Sequence, residues 1–134
     1  MTTTTLQARS VLTSLTVNDL TKSTRLYTGG LGFTLQEEYK MEGKVVGVML
    51  TSGDSGLMLT QDDFAKGRDR VKGTGMRLYL ETEQDLQALA KQAKAAGLSV
   101  EGDPAPLGWG PMGFSLTDPD GFKVTVSGPV GNTT

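Results

Sequence analysis

The 134-residue chain contains no histidine and no cysteine. Without them, a zinc site would have to be built from carboxylates, amides and hydroxyls, which suit hard ions better. Cysteine nucleophiles and histidine bases are excluded as catalytic devices, and disulfides are excluded with them. Charge of either sign is also scarce: 13 basic residues stand against 15 acidic ones, a formal net charge of −2. The short basic run Arg68 to Lys72 offers too few convergent cations for a nucleic-acid backbone. No apolar run approaches membrane-spanning length, and the opening MTTTTLQARS lacks the apolar core of a signal peptide. These absences lead to the expectation of a cytoplasmic protein with no membrane or nucleic-acid partner. The polar ends, Thr2 to Thr5 and Gly131 to Thr134, are expected to fray.

What is present is a pattern of short alternating segments. In Val11 to Val17, Thr13, Leu15 and Val17 share one strand face, and Leu12, Ser14 and Thr16 share the other. Asn18-Asp19 offers a helix cap. Leu20, Ser23, Thr24 and Tyr27 then recur at helical spacing until Gly29-Gly30. Phe33 to Tyr39 and Lys44 to Leu50 read as strands around a Glu42-Gly43 turn, and Asp54-Ser55 turns the chain into Gly56 to Thr60. The second half repeats this order. Met76, Leu78 and Leu80 alternate with Arg77 and Tyr79, and a helix over Asp85 to Ala96 carries the stripe Leu86, Leu89, Ala90 and Ala93 and stops at Gly97. Strands follow at Leu98 to Glu101, Gly113 to Thr117 and Phe122 to Ser127, the last two joined by Asp118-Pro119-Asp120-Gly121. The expected fold is therefore α+β, a single domain over 1–134 made of two βαβββ modules. Module one covers about 10–60 and module two about 73–128, with a polar connector at 61–72, and the modules curl a mixed sheet around a cavity.

Four stretches carry a resemblance to a known family. They are Val17-Asn18-Asp19-Leu20 after the opening strand, Leu31-Gly32-Phe33 after the first helix, Gly56-Leu57-Met58-Leu59, and Phe114 through Asp118-Pro119-Asp120-Gly121-Phe122. Over about residues 10 to 128 the chain resembles the vicinal oxygen chelate superfamily, which holds glyoxalase I, extradiol dioxygenases, fosfomycin resistance enzymes and bleomycin-binding resistance proteins. Enzymes of that family hold a divalent metal with one inward residue from each of four strands, commonly histidine, glutamine or glutamate. The resemblance puts those four positions on Leu12, Met58, Gly75 (or Arg77 in a register shifted by two) and Thr125. None carries an anionic ligand. A one-residue slip would turn the strand's other face inward and cannot rescue the site, and neither Leu57 nor Lys123 is a ligand.

With Thr13, Leu15, Val17, Met76, Leu78 and Leu80 facing the helices, the opposite faces line the cup: Leu12, Ser14, Thr16, Met58, Thr60, Arg77, Tyr79, Lys123 and Thr125. Arg77 reads as an anion contact or as the partner of a surface acid such as Glu101. Tyr79 reads as a ring contact or as a packed core tyrosine. Trp109, the only tryptophan, lies among glycines and prolines in Pro106 to Pro111 and suits a lid over a planar ligand, or alternatively an edge plug or dimer contact. Met49, Met58 and Met112 form an adaptable wall or simply core. Asp62-Asp63 reads first as a helix cap for the following FAKGRDR segment, and second as an acidic entrance to the cavity.

The expected ligand-binding set is Arg77, Tyr79, Trp109, Met58, Leu12, Ser14, Thr125 and Met49, with no catalytic residue, metal or cofactor assigned. The expected function is metal-free binding of a small aromatic or anionic organic molecule, similar to antibiotic-sequestering bleomycin-resistance proteins. The alternatives are a metal-independent lyase or isomerase, a metal-dependent glyoxalase- or dioxygenase-like enzyme with an atypical site, and a module with an empty cavity. The family resemblance and the openness of each half-cup lead to the expectation of a homodimer.

Overall fold

The computed structural model describes residues 3–130, so Thr2 and Gly131 to Thr134 of the expected frayed ends lie outside the described residues. The opening strand β1 (Thr13–Val17) is followed by helix α1 (Leu20–Arg25), which loosens into a π-helical turn over Leu26–Gly30. Three strands complete the first unit: β2 (Thr34–Met41), β3 (Lys44–Ser52) and β4 (Ser55–Gln61). The second unit runs β5 (Arg77–Glu81), α2 (Leu86–Ala96), β6 (Ser99–Val100), β7 (Ala105–Pro106), β8 (Pro111–Thr117) and β9 (Lys123–Val130). The two βαβββ modules are thus present, with the first strand after the helix of the second split into the two-residue pieces β6 and β7, both paired to β8.

The strands form two mixed sheets, ordered β1-β4-β3-β2 and β5-β9-β8-β6, with β7 paired to β8. In each module the first strand runs parallel to the last: Ser14 lies opposite Met58 in one, and Tyr79 opposite Thr125 in the other. Met76 falls outside β5 and is partly exposed, so the helix-facing row of that strand is Leu78 and Leu80 alone.

Each sheet turns an apolar face toward the helices. Leu15, Val17, Val48, Leu50, Leu57 and Leu59 build one core, joined by Tyr27, Phe33 and Phe122. Leu86, Ala90, Ala93, Phe114, Leu116, Val124 and Val126 build the other, joined by Leu26. Leu31, Leu78 and Leu80 pack against both, so the cores are continuous across the modules. The shared positions make each module's hydrophobic stabilisation depend on the other.

Local chemistry sets the ends of the helices. The Asp19 carboxylate accepts from Lys22 N at the start of α1, and Asp85 accepts from Gln87 N and Ala88 N at the start of α2. Gly97 ends α2 with φ 103°, and Leu98 N bonds back to Ala93 O. At Gly30 the helices meet so closely that a β-carbon would stand 2.7 Å from a Leu98 methyl. Gln92 Nε2 donates to Gly30 O at the same crossing, at 3.2 Å.

The Asp118-Pro119-Asp120-Gly121 turn does more than reverse the chain. Asp118 is buried, and its Oδ1 accepts from Asp120 N and Phe122 N while its Oδ2 accepts from the Tyr27 hydroxyl at 2.8 Å. That bond joins the first helical segment to the last turn, 91 residues apart in the chain. Burial drives the Asp118 carboxyl above its ordinary range against the pull of the Tyr27 hydrogen bond, and it drives the Tyr27 phenol upward as well.

The connector holds no helix, which corrects the expectation that Asp62-Asp63 caps one. Asp62 is instead buried. Its carboxylate takes Lys72 Nζ at 2.8 Å, Arg70 Nη2 at 3.2 Å and Phe64 N at 2.9 Å. Asp63 closes a small turn onto Ala65 N, and Arg68 lies over the Phe64 ring at 4.3 Å. The Lys72 hydrogen bond, with help from Phe64 N, holds the Asp62 carboxyl down at about 2. Beyond Lys72 the chain passes Gly73, where a β-carbon would overlap the Gly121 backbone at 2.0 Å. Only glycine fits between connector and turn.

Candidate functional site

Alternation along β5 and β9 puts Arg77, Tyr79 and Glu81 on one face with Lys123, Thr125 and Ser127, opposite the helix-facing leucines and valines. This concave face carries a hydrogen-bonded cluster. Arg77 Nη1 donates to Thr125 Oγ1 at 2.8 Å, and Thr125 Oγ1 lies 2.8 Å from Ser115 Oγ on β8. Thr125 is only 2% exposed, whereas Arg77 reaches solvent with the rest of its donor fork. Arg77 makes no ion pair among the described residues, and the alternative pairing with Glu101 is replaced by the hydroxyl contact. A fork with one arm seated on a buried hydroxyl is oriented to meet an anion with the others.

Tyr79 stands beside this cluster, 56% exposed, with the Trp109 ring across from it at 5.9 Å between centroids and 83° between planes. Trp109 is itself 62% exposed on the loop between β7 and β8, so the expectation of a plugged edge within the chain does not hold. The two rings form an open right-angled corner, a geometry favoured by their quadrupoles and able to receive a third ring.

Two openings share Tyr79. One, a cavity of about 640 Å³, lies at the seam of the sheets and is lined by Leu12, Met49, Phe33, Leu57, Leu78 and Tyr79. The other, about 820 Å³, is lined by Tyr79, Trp109, Glu81, Glu83, Pro111 and Ser127. Both have the dimensions of small-molecule sites.

The expected binding residues are therefore gathered in three groups. Arg77 and Thr125 touch, Tyr79 and Trp109 face each other, and Leu12 and Met49 share the seam cavity with Tyr79. Ser14 and Met58 lie opposite one another across β1 and β4, and Met58 also pairs with Met49 across β3 and β4, but none of Ser14, Met58, Arg77 and Thr125 lines these two cavities. Ser115, Ser127, Glu81 and Glu83 were not singled out by the sequence. Glu81 and Ser127 were within reach of the alternation rule, two residues beyond Tyr79 and Thr125 on the same face.

The four positions implied for a metal can be judged by their chemistry. Gly75 has φ 79° and precedes β5, so the strand's concave position is Arg77. Leu12 has no donor, Met58 offers a soft thioether, Arg77 is itself a cation, and Thr125 already serves Arg77 and Ser115. This set does not fit a divalent ion. No group of three or more acidic residues elsewhere among the described residues forms a metal-binding cluster.

No described helix is long and apolar enough to cross a membrane. No curated protein sequence matches the chain. Among solved structures, TnmS3, an antibiotic binding protein from Streptomyces sp. CB03234, is 24% identical with a TM-score of 0.72, covering 94% of this chain and 99% of its own. A glyoxalase/bleomycin resistance protein from the same Streptomyces is 25% identical with a TM-score of 0.66, covering 87% of this chain and 96% of its own. The hypothetical protein SA1046 from S. aureus is 22% identical with a TM-score of 0.72, covering 92% and 95%. The sequence profile of one family matches residues 9–126, nearly the whole of both modules, and the chain thus belongs to the Glyoxalase/Bleomycin resistance protein/Dioxygenase superfamily.

Proposed function

We propose that the protein binds a small ring-bearing organic molecule without a metal, in the manner of the antibiotic-sequestering branch of its superfamily. The observation that carries this reading is the juxtaposition on one sheet face of Arg77, oriented by Thr125 and without an ion pair among the described residues, and the open Tyr79–Trp109 corner. The corner receives the ring and Arg77 meets an anionic group, while Leu12 and Met49 supply apolar surface at the seam. Sequestration requires no acid, base or Lewis acid, and the four family metal positions hold none in Leu12, Met58, Arg77 and Thr125. TnmS3, which has the same fold, is an antibiotic binding protein. The half-cups of one chain stand open, and we propose that a second copy completes them as a homodimer of cytoplasmic location.

The test is quenching of Trp109 fluorescence by a panel of polycyclic aromatic compounds, with protein that has been dialysed against EDTA and with protein supplied with manganese, nickel or zinc. Saturable binding unaffected by metal is expected, weakened about tenfold or more in Arg77→Met or Tyr79→Ala. Binding that requires metal, or a panel without a single binder, would overturn the reading. Light scattering of the same samples is expected to give the dimer mass.

A further inference from the structure

The charge around the larger cavity is one-sided. Glu81 and Glu83 line it together with Tyr79, Trp109 and Ser127, and no lysine or arginine belongs to its wall. Neither glutamate is ion-paired among the described residues. Ser127 lies directly beside Glu81 in the parallel register of β5 and β9. It lines the same cavity and is only 7% exposed. Its hydroxyl can donate to or accept from an occupant of the cavity. Along β5 the face therefore changes from cation to aromatic to carboxylate, Arg77, Tyr79, Glu81, with its charged ends about 13 Å apart at the usual strand rise.

We propose that this cavity selects a planar-ring molecule that carries a positive charge. The inference rests on the binding function above and narrows its ligand. The charge sits between Glu81 and Glu83, against the electron-rich faces of Tyr79 and Trp109, and the Ser127 hydroxyl takes a polar hydrogen or lone pair of the same group. Arg77, far along the strand, does not repel the charge there and sets the direction in which the molecule lies: any anionic group points toward β5's first residue. Glu81 and Glu83 are specificity-determining residues on this account, since an anion of the same shape would meet two uncompensated carboxylates.

Calorimetric titration with three acridines of similar shape tests this: 9-aminoacridine as the planar cation, acridine as the neutral ring and acridine-9-carboxylate as the anion. The cation is expected to bind about tenfold or more tightly than the anion, by cation–π and charge-pair contributions together. Its affinity should fall with added salt. In Glu81→Gln/Glu83→Gln the preference is expected to collapse to within about threefold, while Ser127→Ala weakens the cation more than the neutral ring. The thermal midpoint of the double glutamine variant, measured alongside, should match the parent, because both glutamates are exposed. Equal or tighter binding of the anion, or a cation preference that survives the double variant, overturns the proposal and leaves the broader binding function standing if Trp109→Ala still abolishes that binding. Failure of all three acridines to bind counts against the broader function and this one together.

Discussion

The two modules share an element order and differ in what their concave faces carry. In the first, Ser14 stands opposite Met58, Met58 opposite Met49 and Met49 opposite Glu37, so thioethers occupy the middle of the face and its carboxylate lies on the outer strand. In the second, Arg77, Thr125 and Ser115 are hydrogen-bonded to one another beside an aromatic corner. The outer strands differ too. β2 runs unbroken for 8 residues, whereas its counterpart is reduced to β6 and β7, and the chain freed by that break leads into the Trp109 loop. A repeated framework fixes where side chains can point. It leaves their chemistry free, so one copy can carry thioethers where the other carries a hydrogen-bonded arginine and an aromatic corner.

The sharpest way to break the comparison is to ask whether the modules are separable at all. Leu59 and Leu116 are fully buried, one in each core. Each replacement by alanine is expected to cost about 2–5 kcal/mol in denaturant unfolding. Both variants should lose the two modules in one transition, because Leu31, Leu78 and Leu80 belong to both cores. A second transition in either variant would show that the modules melt independently.

A smaller effect is expected from Tyr27→Phe. It removes the donor to a buried carboxylate on the other module without altering the ring that packs edge-on against Phe33. Chemical denaturation should show a loss of about 1–3 kcal/mol. No loss would mean that the bond does not couple the modules.

The smallest effect belongs to the connector and depends on pH. The folded-state Asp62 carboxyl is held at about 2 by Lys72, Phe64 N and Arg70, below the roughly 4 of an unfolded aspartate. A depressed carboxyl stabilises the fold above the unfolded value and loses that contribution as pH falls through the folded one. Asp62→Asn should therefore lower the thermal midpoint at pH 7, and its difference from the parent should close between about pH 4 and pH 2. A difference independent of pH over that range would assign the effect of Asp62 to shape and not to charge.

The framework was largely readable from the chain. Alternation in Thr13 to Val17 and in Phe122 to Ser127, and helical recurrence in Leu86 to Ala93, report burial on one side, which is what periodicity measures. Polar groups with distant partners escaped it. Asp62 resembled a helix cap because its short-range neighbours suit one, yet its contacts to Arg70 and Lys72 close a loop without helix. Asp118 read as a turn residue, and its link to Tyr27 depends on packing between elements 91 residues apart. The candidate site was legible in part for the same reason. Arg77, Tyr79 and Thr125 lie on strands whose period shows their common face, and Trp109 was prominent as the only tryptophan. Ser115 became part of the cluster only when β8 was placed beside β9.

The Tyr27–Asp118 bond also says something about the order in which the protein comes into being. A growing chain presents Tyr27 early, together with Leu26, whose neighbours are Leu86, Ala90 and Leu98. Until residue 118 has been synthesised and has cleared the ribosome, that phenol lacks its acceptor. Nascent chains stalled at about residue 75 should consequently be cleaved readily by protease near Leu26 and Tyr27, and protection should arrive only when the final turn can close on them. The first module is written first and finished last.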